Sequence, residues 1–222
     1  MVAFRRRFDS RDGVAAAWTR QPLIDVTSTE TAFGVFVGLG LSAAAGLRVF
    51  VPLLVASAAS LSGHLELAGG FEWIGTTPAL VGFAVASALE IAAYLVPFLD
   101  NMLDALAAPA AAAAGTILSA SSIVDLSPWL RWSLAIVAGG GIAGTVHLFT
   151  GATRLTSTAT TAGLANPVLS TAEAGGAGAV SILAIALPVL GGVIALALVV
   201  VASRALGRRV RRGGLSWPPR RD

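Results

Sequence analysis

Thirty residues in succession, Ala174 to Ser203, carry no charge. As a helix of ~1.5 Å rise per residue such a run is longer than the ~30 Å hydrocarbon layer of a bilayer, and longer than a soluble core needs. It is not alone: Pro78–Leu99 holds a single charge, Glu90, and Ala105–Val124 holds none. Apolar residues make up 55% of the 222 positions and charged residues 12%, against ~25% charged in a soluble domain. The mean hydropathy is +0.80. A disordered chain, a coiled coil and an ordinary soluble enzyme are excluded. An all-α integral membrane protein is expected.

The blocks define the spans. Thr31–Gly63 carries one charge, Arg48, near its middle. It is either one tilted helix or two pieces broken around Gly46 and Pro52, where a flexible residue, a charge and a helix-breaker meet. The second arrangement, broken or re-entrant, is favoured. His64–Thr77 is a loop with Trp73 at an interface. Pro78–Leu99 and Ala105–Val124 follow. Trp129 and Trp132 then mark another interface ahead of a span reaching Phe149. Thr150–Glu173 is rich in Ser and Thr and interrupted at Asn166-Pro167. Ala174–Ser203 is the last span, bent at Pro188 and Gly191-Gly192.

All 15 basic residues are Arg. Arg5, Arg6, Arg7, Arg11 and Arg20 precede the first block; Arg204, Arg208, Arg209, Arg211, Arg212, Arg220 and Arg221 follow the last. Excess Arg marks the cytoplasmic side, so both termini are expected there. The division is then a basic segment at 1–30, a membrane domain at 31–203 and an Arg-rich tail at 204–222. Both ends on one side require an even count of crossings. About six transmembrane or re-entrant helices are expected, the extra one supplied by Thr150–Glu173. Residues 1–30 lack the apolar core and cleavage site of a signal peptide. The Arg-, Ala- and Gly-rich usage fits a GC-rich bacterium, hence a multi-pass protein of the bacterial cytoplasmic (inner) membrane. The tails face anionic lipid headgroups. Without an aromatic stacking platform beside them, no nucleic-acid partner is expected. A second copy of the chain is a further candidate partner.

An ionisable group in hydrocarbon costs at least ~2.5–3.5 kcal/mol on insertion scales, so each needs a partner, a cavity or a purpose. The candidates are Arg48, Glu90, Asp100, Asp104, His147, Arg154 and Glu173. At ~100° per residue, Glu90, Tyr94, Pro97, Asn101 and Asp104 fall within about 40° of one line, with Asp100 at its margin. His147 and Arg154 are two turns apart on one face. The run from Arg154 through Ser157, Thr158 and Thr161 to Asn166-Pro167 offers hydroxyls and opened backbone. With Ser170 and Glu173 it suits either an anion at helix N-termini with Arg, or a cation among carbonyls, hydroxyls and carboxylates. The ordinary alternatives are surface aspartates beyond a helix end at Pro97, a packing histidine, snorkelling arginines and an exposed Ser/Thr loop.

The halves echo each other faintly. Pro97-Phe98-Leu99-Asp100 resembles Pro167-Val168-Leu169-Ser170, and Arg48-Val49-Phe50 aligns with His147-Leu148-Phe149. Broken helices in matching positions belong to inverted-repeat transporters. With no Lys a phosphate-binding loop of the Gly-Lys-Ser/Thr type is impossible. The two histidines stand 83 positions apart and there is no Cys, so neither a metal site nor a cofactor is expected. No Gly-x-Ser-x-Gly elbow appears.

Gly46-Leu47-Arg48-Val49-Phe50-Val51-Pro52, Glu90 with Pro97, Asp100 and Asp104, His147 with Arg154, and Ser157-Thr158-Ala159-Thr160-Thr161 leading to Asn166-Pro167, Ser170 and Glu173 together resemble one family. It comprises small polytopic membrane proteins of bacteria and plants, the domain of unknown function numbered four-one-two-six. The likeness runs from about Gly38 to Pro188. Where members similar to this one often have an acid, a Lys and a second acid, this chain has Tyr94, Thr150 and Ala174. The family brings no activity with it. On the residues themselves, the expectation is a small secondary transporter or channel-like carrier, not an enzyme, with a polar midplane site for an ion or small solute. That solute includes phosphate-bearing ones. The alternatives are a membrane scaffold or partner subunit and, behind it, an intramembrane lipid-modifying enzyme.

Overall fold

A computed structural model describes residues 29–94 and 99–213, without the side chains of 99–105 and 209–213. Its regular elements are helical throughout. In chain order they are α1 (Thr29–Leu47), α2 (Phe50–Leu61), α3 (Thr77–Tyr94), α4 (Leu99–Ser122), α5 (Pro128–Thr161), α6 (Asn166–Ala186) and α7 (Pro188–Gly213), with a short 3₁₀ turn at Glu72–Gly75. Five of them, α1, α3, α5, α6 and α7, are long and apolar enough to cross a membrane, and α2 and the Leu106–Ser122 part of α4 are shorter apolar helices.

The directions follow from close contacts. Gly34 meets the Ser122 carbonyl, Gly38 meets Ser119, and the Ser42 hydroxyl lies 2.8 Å from the Gly115 carbonyl, so α1 and α4 are antiparallel. Ser42 also faces Gly139 and Gly46 faces Val146, which makes α5 parallel to α1. Gly40 lies against Ala184 and Leu47 against Gly176, so α6 runs the other way. Ala43 clusters with Ala195, returning α7 to the direction of α1. Small residues at each of these crossings let the backbones approach, which is how helices associate where lipid removes the hydrophobic drive between them. At Ala135–Gly140 the turns of α5 widen to a π-helix, and Gly139 and Gly140 of that stretch pack on Gly115 and Thr116 of α4.

α1 is the hub, packed on four helices and buried from Gly40 to Gly46. The outer helices turn Val81, Val85 and Leu89 of α3, Val168 and Ile182 of α6, and Val193 and Leu196 of α7 outward. Apolar side chains outside and small ones inside suit a lipid solvent. Trp73, Trp129 and Trp132 are exposed at one end, the tryptophan end, where amphipathic rings sit at headgroup level. Arg204 and Arg208 lie at the other, the arginine end.

The first apolar block is broken, as its sequence predicts, at Arg48-Val49 between the two suspected residues: Gly46 stays in α1 and Pro52 in the first turn of α2. The chain then turns back. Ser57 of α2 donates to the Ile74 carbonyl at 2.6 Å, and Ile74 packs with Ala120 near the tryptophan end. α1 and α2 therefore form a re-entrant hairpin that enters and leaves at the tryptophan end, its tip at Arg48 inside the bundle.

Two expectations are corrected. Ala174–Ser203 is not one bent span but parts of two helices that reverse at Leu187, with Gly191 pressed on Ala184. Thr150–Glu173 does not cross; it is the end of α5, a turn at residues 162–165 and the start of α6. Ala162 takes a positive φ of 52° and Gly163 one of 85° in that turn. Among the described residues the count is seven helices against the six expected, and an odd count places Thr29 and Arg208 at opposite ends of the bundle. The Arg-rich segment at residues 1–28 lies outside the described residues. α7 carries on through Arg204 and Arg208 to Gly213.

Candidate functional site

The hairpin tip collects charge. Arg48 has 1% of its surface exposed and Arg154, from α5, 4%. Both guanidiniums reach Glu173 of α6: Arg48 Nη2 lies 3.4 Å from Glu173 Oε2, and Arg154 grips the carboxylate with two nitrogens, Nε at 3.3 Å from Oε1 and Nη2 close on Oε2. Arg48 Nη2 also donates to the Ser170 carbonyl at 3.1 Å and hydroxyl at 2.5 Å. Both cations lie over the Tyr94 ring, the Arg48 guanidinium carbon 4.1 Å from its centre and that of Arg154 3.9 Å. Aromatic faces attract cations, so one ring attracts two like charges that would otherwise repel.

Glu90 does different work. Its Oε1 accepts the Val49 N–H at 2.8 Å and its Oε2 the Phe50 N–H at 3.1 Å. These amides open α2, whose cap residue Val49 offers no side-chain acceptor. The first N–H groups of a helix lack partners and carry the positive end of its dipole. Glu90 supplies from α3 the cap that the local sequence omits. The break at Arg48 thereby becomes tolerable inside a membrane, where unsatisfied amides cost several kcal/mol.

Helix register gives the depth of the site. Ser42 stands beside Gly139, seven residues beyond Trp132, and Arg48 follows Ser42 by six, so Arg48 lies roughly 20 Å from the tryptophan level. Ala43 is level with Ala195; Arg204 follows the latter by nine residues and Arg48 the former by five, so Arg204 lies roughly 6 Å further on. α5 runs on for 13 residues beyond Leu148, which by the Gly46–Val146 contact is level with Arg48, so the cluster is flanked by helix on both sides.

Of the expected residues, the structure brings together Arg48, Arg154, Ser170 and Glu173, with Glu90 beside them through the tip amides. Asp100, Asn101 and Asp104 stand on the first turns of α4, with side chains outside the described residues, as is Pro97. His147 lies apart. It lines a lateral cleft of about 750 Å³ between α4, α5 and α7, among Ala108, Gly151, Leu155 and Leu206, and its Nε2 has no hydrogen-bond partner. Most hydroxyls of the Thr-rich run are engaged locally. Thr156, Thr160 and Thr161 donate to carbonyls four residues back in their own helix, and Asn166 donates to Thr158 at 3.0 Å, closing the α5–α6 turn. Side chains at that spacing are the natural partners of helix carbonyls. The Ser157 hydroxyl is buried without a hydrogen bond.

Tyr94 belongs to the site although sequence reasoning left it as one polar member of the α3 face; its signal was a lone phenol one turn past Glu90. The two echoed triplets differ in setting: Arg48 stands in a helix interruption and His147 within an unbroken helix. No group of three metal-ligating side chains occurs among the described residues.

No curated protein and no solved structure matches the chain. A family model does, over residues 35–208, a stretch that begins in α1, holds all five charged or aromatic members of the tip cluster and ends at Arg208. The chain belongs to the family described as a domain of unknown function, DUF4126.

Proposed function

We propose that this protein is a small secondary transporter or channel-like carrier, with its site at Arg48, Arg154 and Glu173. The observation that carries the reading is the re-entrant tip: a helix break inside the bundle, with two buried guanidiniums sharing one carboxylate. Irregular backbone at membrane depth is tolerated where protein or water covers it, and half-helix ends there hold ions and charged solutes. By the excess of Arg, the arginine end faces the cytoplasm of a bacterial inner membrane. The carrier is not an enzyme on this reading.

One observation favours a second reading, a scaffold whose charges hold helices or a partner subunit: Glu90 is engaged by backbone amides and Glu173 by arginines. Flux decides between the two. Purified protein in proteoliposomes is assayed for uptake of phosphate, small carboxylates, sodium ions and protons. Uptake of one of them, lost in Arg48→Gln that still elutes as a folded species, is the expected result. No flux of any of these, with a subunit that co-purifies at fixed stoichiometry, would establish the scaffold.

A further inference from the structure

The donors around Glu173 outnumber what it accepts. A guanidinium carries five N–H groups in a planar fork. Arg48 makes its hydrogen bonds to Ser170 through Nη2; its Nε and Nη1 are buried and have no hydrogen-bond partner. Buried donors are nearly always satisfied, and a guanidinium left short is an exception that calls for a reason. Glu173 is also the most accessible of the three charges, 11% exposed against 1% and 5% for the side chains of Arg48 and Arg154. It projects from α6, a helix on the outside of the bundle with little of its length buried, whereas Arg48 is fixed at the tip by Ser170.

From this geometry we infer that the Glu173 carboxylate is an internal stand-in for a phosphate-type oxyanion, which binds between Arg48 and Arg154 when Glu173 swings outward. A carboxylate presents two oxygens in one plane. A tetrahedral phosphate group presents three or four, enough to meet the fork of Arg154 and also the idle Nε and Nη1 of Arg48, and arginine is the side chain best matched to it. The inference rests on the carrier reading for its purpose but not for its test. The shared chemistry, a phosphate monoester or inorganic phosphate, fits both a free solute and a lipid headgroup.

Glu173→Gln frees both guanidiniums without removing the side chain. Titrating the detergent-purified full chain with inorganic phosphate, and separately with dioctanoyl phosphatidic acid, is expected to show at least ~10-fold tighter binding to Glu173→Gln than to wild type. Chloride at matched ionic strength should bind equally weakly to both. Glu173→Asp, which keeps the charge and retracts it by one methylene, should give a smaller gain and serves if the Gln variant does not fold. Adding Arg48→Gln to either should remove the gain. Tighter binding of both ligands identifies a free phosphate as sufficient; tighter binding of the lipid alone identifies a headgroup. No gain for either ligand in a folded variant, or a gain equal to that for chloride, overturns the inference. If phosphate binds but proteoliposomes carry no flux, the oxyanion site stands and the carrier reading fails.

Discussion

At the scale of single residues, two side chains near the tip have roles that substitution can separate. Glu90 acts on backbone. Glu90→Ala strips the cap from α2 and should cost about 1–2 kcal/mol, the range for charges at helix termini and lost N-caps. For a chain of this size that lowers Tm by about 2–8 °C. Glu90→Gln should lose less, because its carbonyl oxygen still accepts one of the two N–H groups. Equal losses for the two variants in a detergent melting assay would mean that the cap is not what Glu90 contributes. Tyr94 acts through its ring. Tyr94→Leu should lower Tm by more than Tyr94→Phe, which keeps the ring, as cation–π contacts of roughly 0.5–2 kcal/mol to each guanidinium are removed. The sequence marked Arg48, Arg154 and Glu173 as candidates because charge at membrane depth needs a reason, and Ser170 as part of the hydroxyl-bearing stretch beside them. It could not show that Glu90 would be answered by amides, since every residue type carries an N–H.

Elements in this bundle are set by small residues and abrupt breaks. The break at Arg48 was legible: a charge between Gly46 and Pro52 has few other ways to be accommodated in a long apolar block. The reversal at Leu187 was not. A one-residue turn leaves no polar loop to read, and Pro188 and Gly191 signal a bend as readily as a hairpin. The Thr-rich run was ambiguous for a related reason: hydroxyls that could coordinate a ligand can equally donate to the preceding turn, as Thr156, Thr160 and Thr161 do. Close approach of α6 and α7 requires glycine. A Cβ at Gly191 would overlap the Ala184 backbone, whereas one at Gly175 meets nothing within 4 Å. Gly191→Ala should therefore lower Tm, and Gly175→Ala should leave it unchanged or raise it through helix propensity. The opposite order in a melting comparison would refute the hairpin packing.

For the whole molecule, the membrane class was plain from composition, but the number of passes was not, because two of the apolar blocks fold back on themselves. The Arg-rich flanks imply one shared side. Seven alternating helices place Thr29 and Arg208 at opposite ends. The chain has no Cys, so single reporters are clean. Glu30→Cys and Arg208→Cys, each introduced alone, should react with an impermeant maleimide from opposite faces of sealed vesicles. Labelling of both from the same face would contradict the seven-helix course.

The hairpin tip also makes the two approaches to Arg48 unlike. Toward the tryptophans α1 itself stands over it, buried among its neighbours from Gly40 to Gly46. Toward the arginines the hairpin ends, and α4, α5, α6 and α7 alone continue past the tip. A ligand that reached Arg48 from that side would pass between these helices, whereas one leaving toward the tryptophans would have to part α1 from its glycine-lined neighbours.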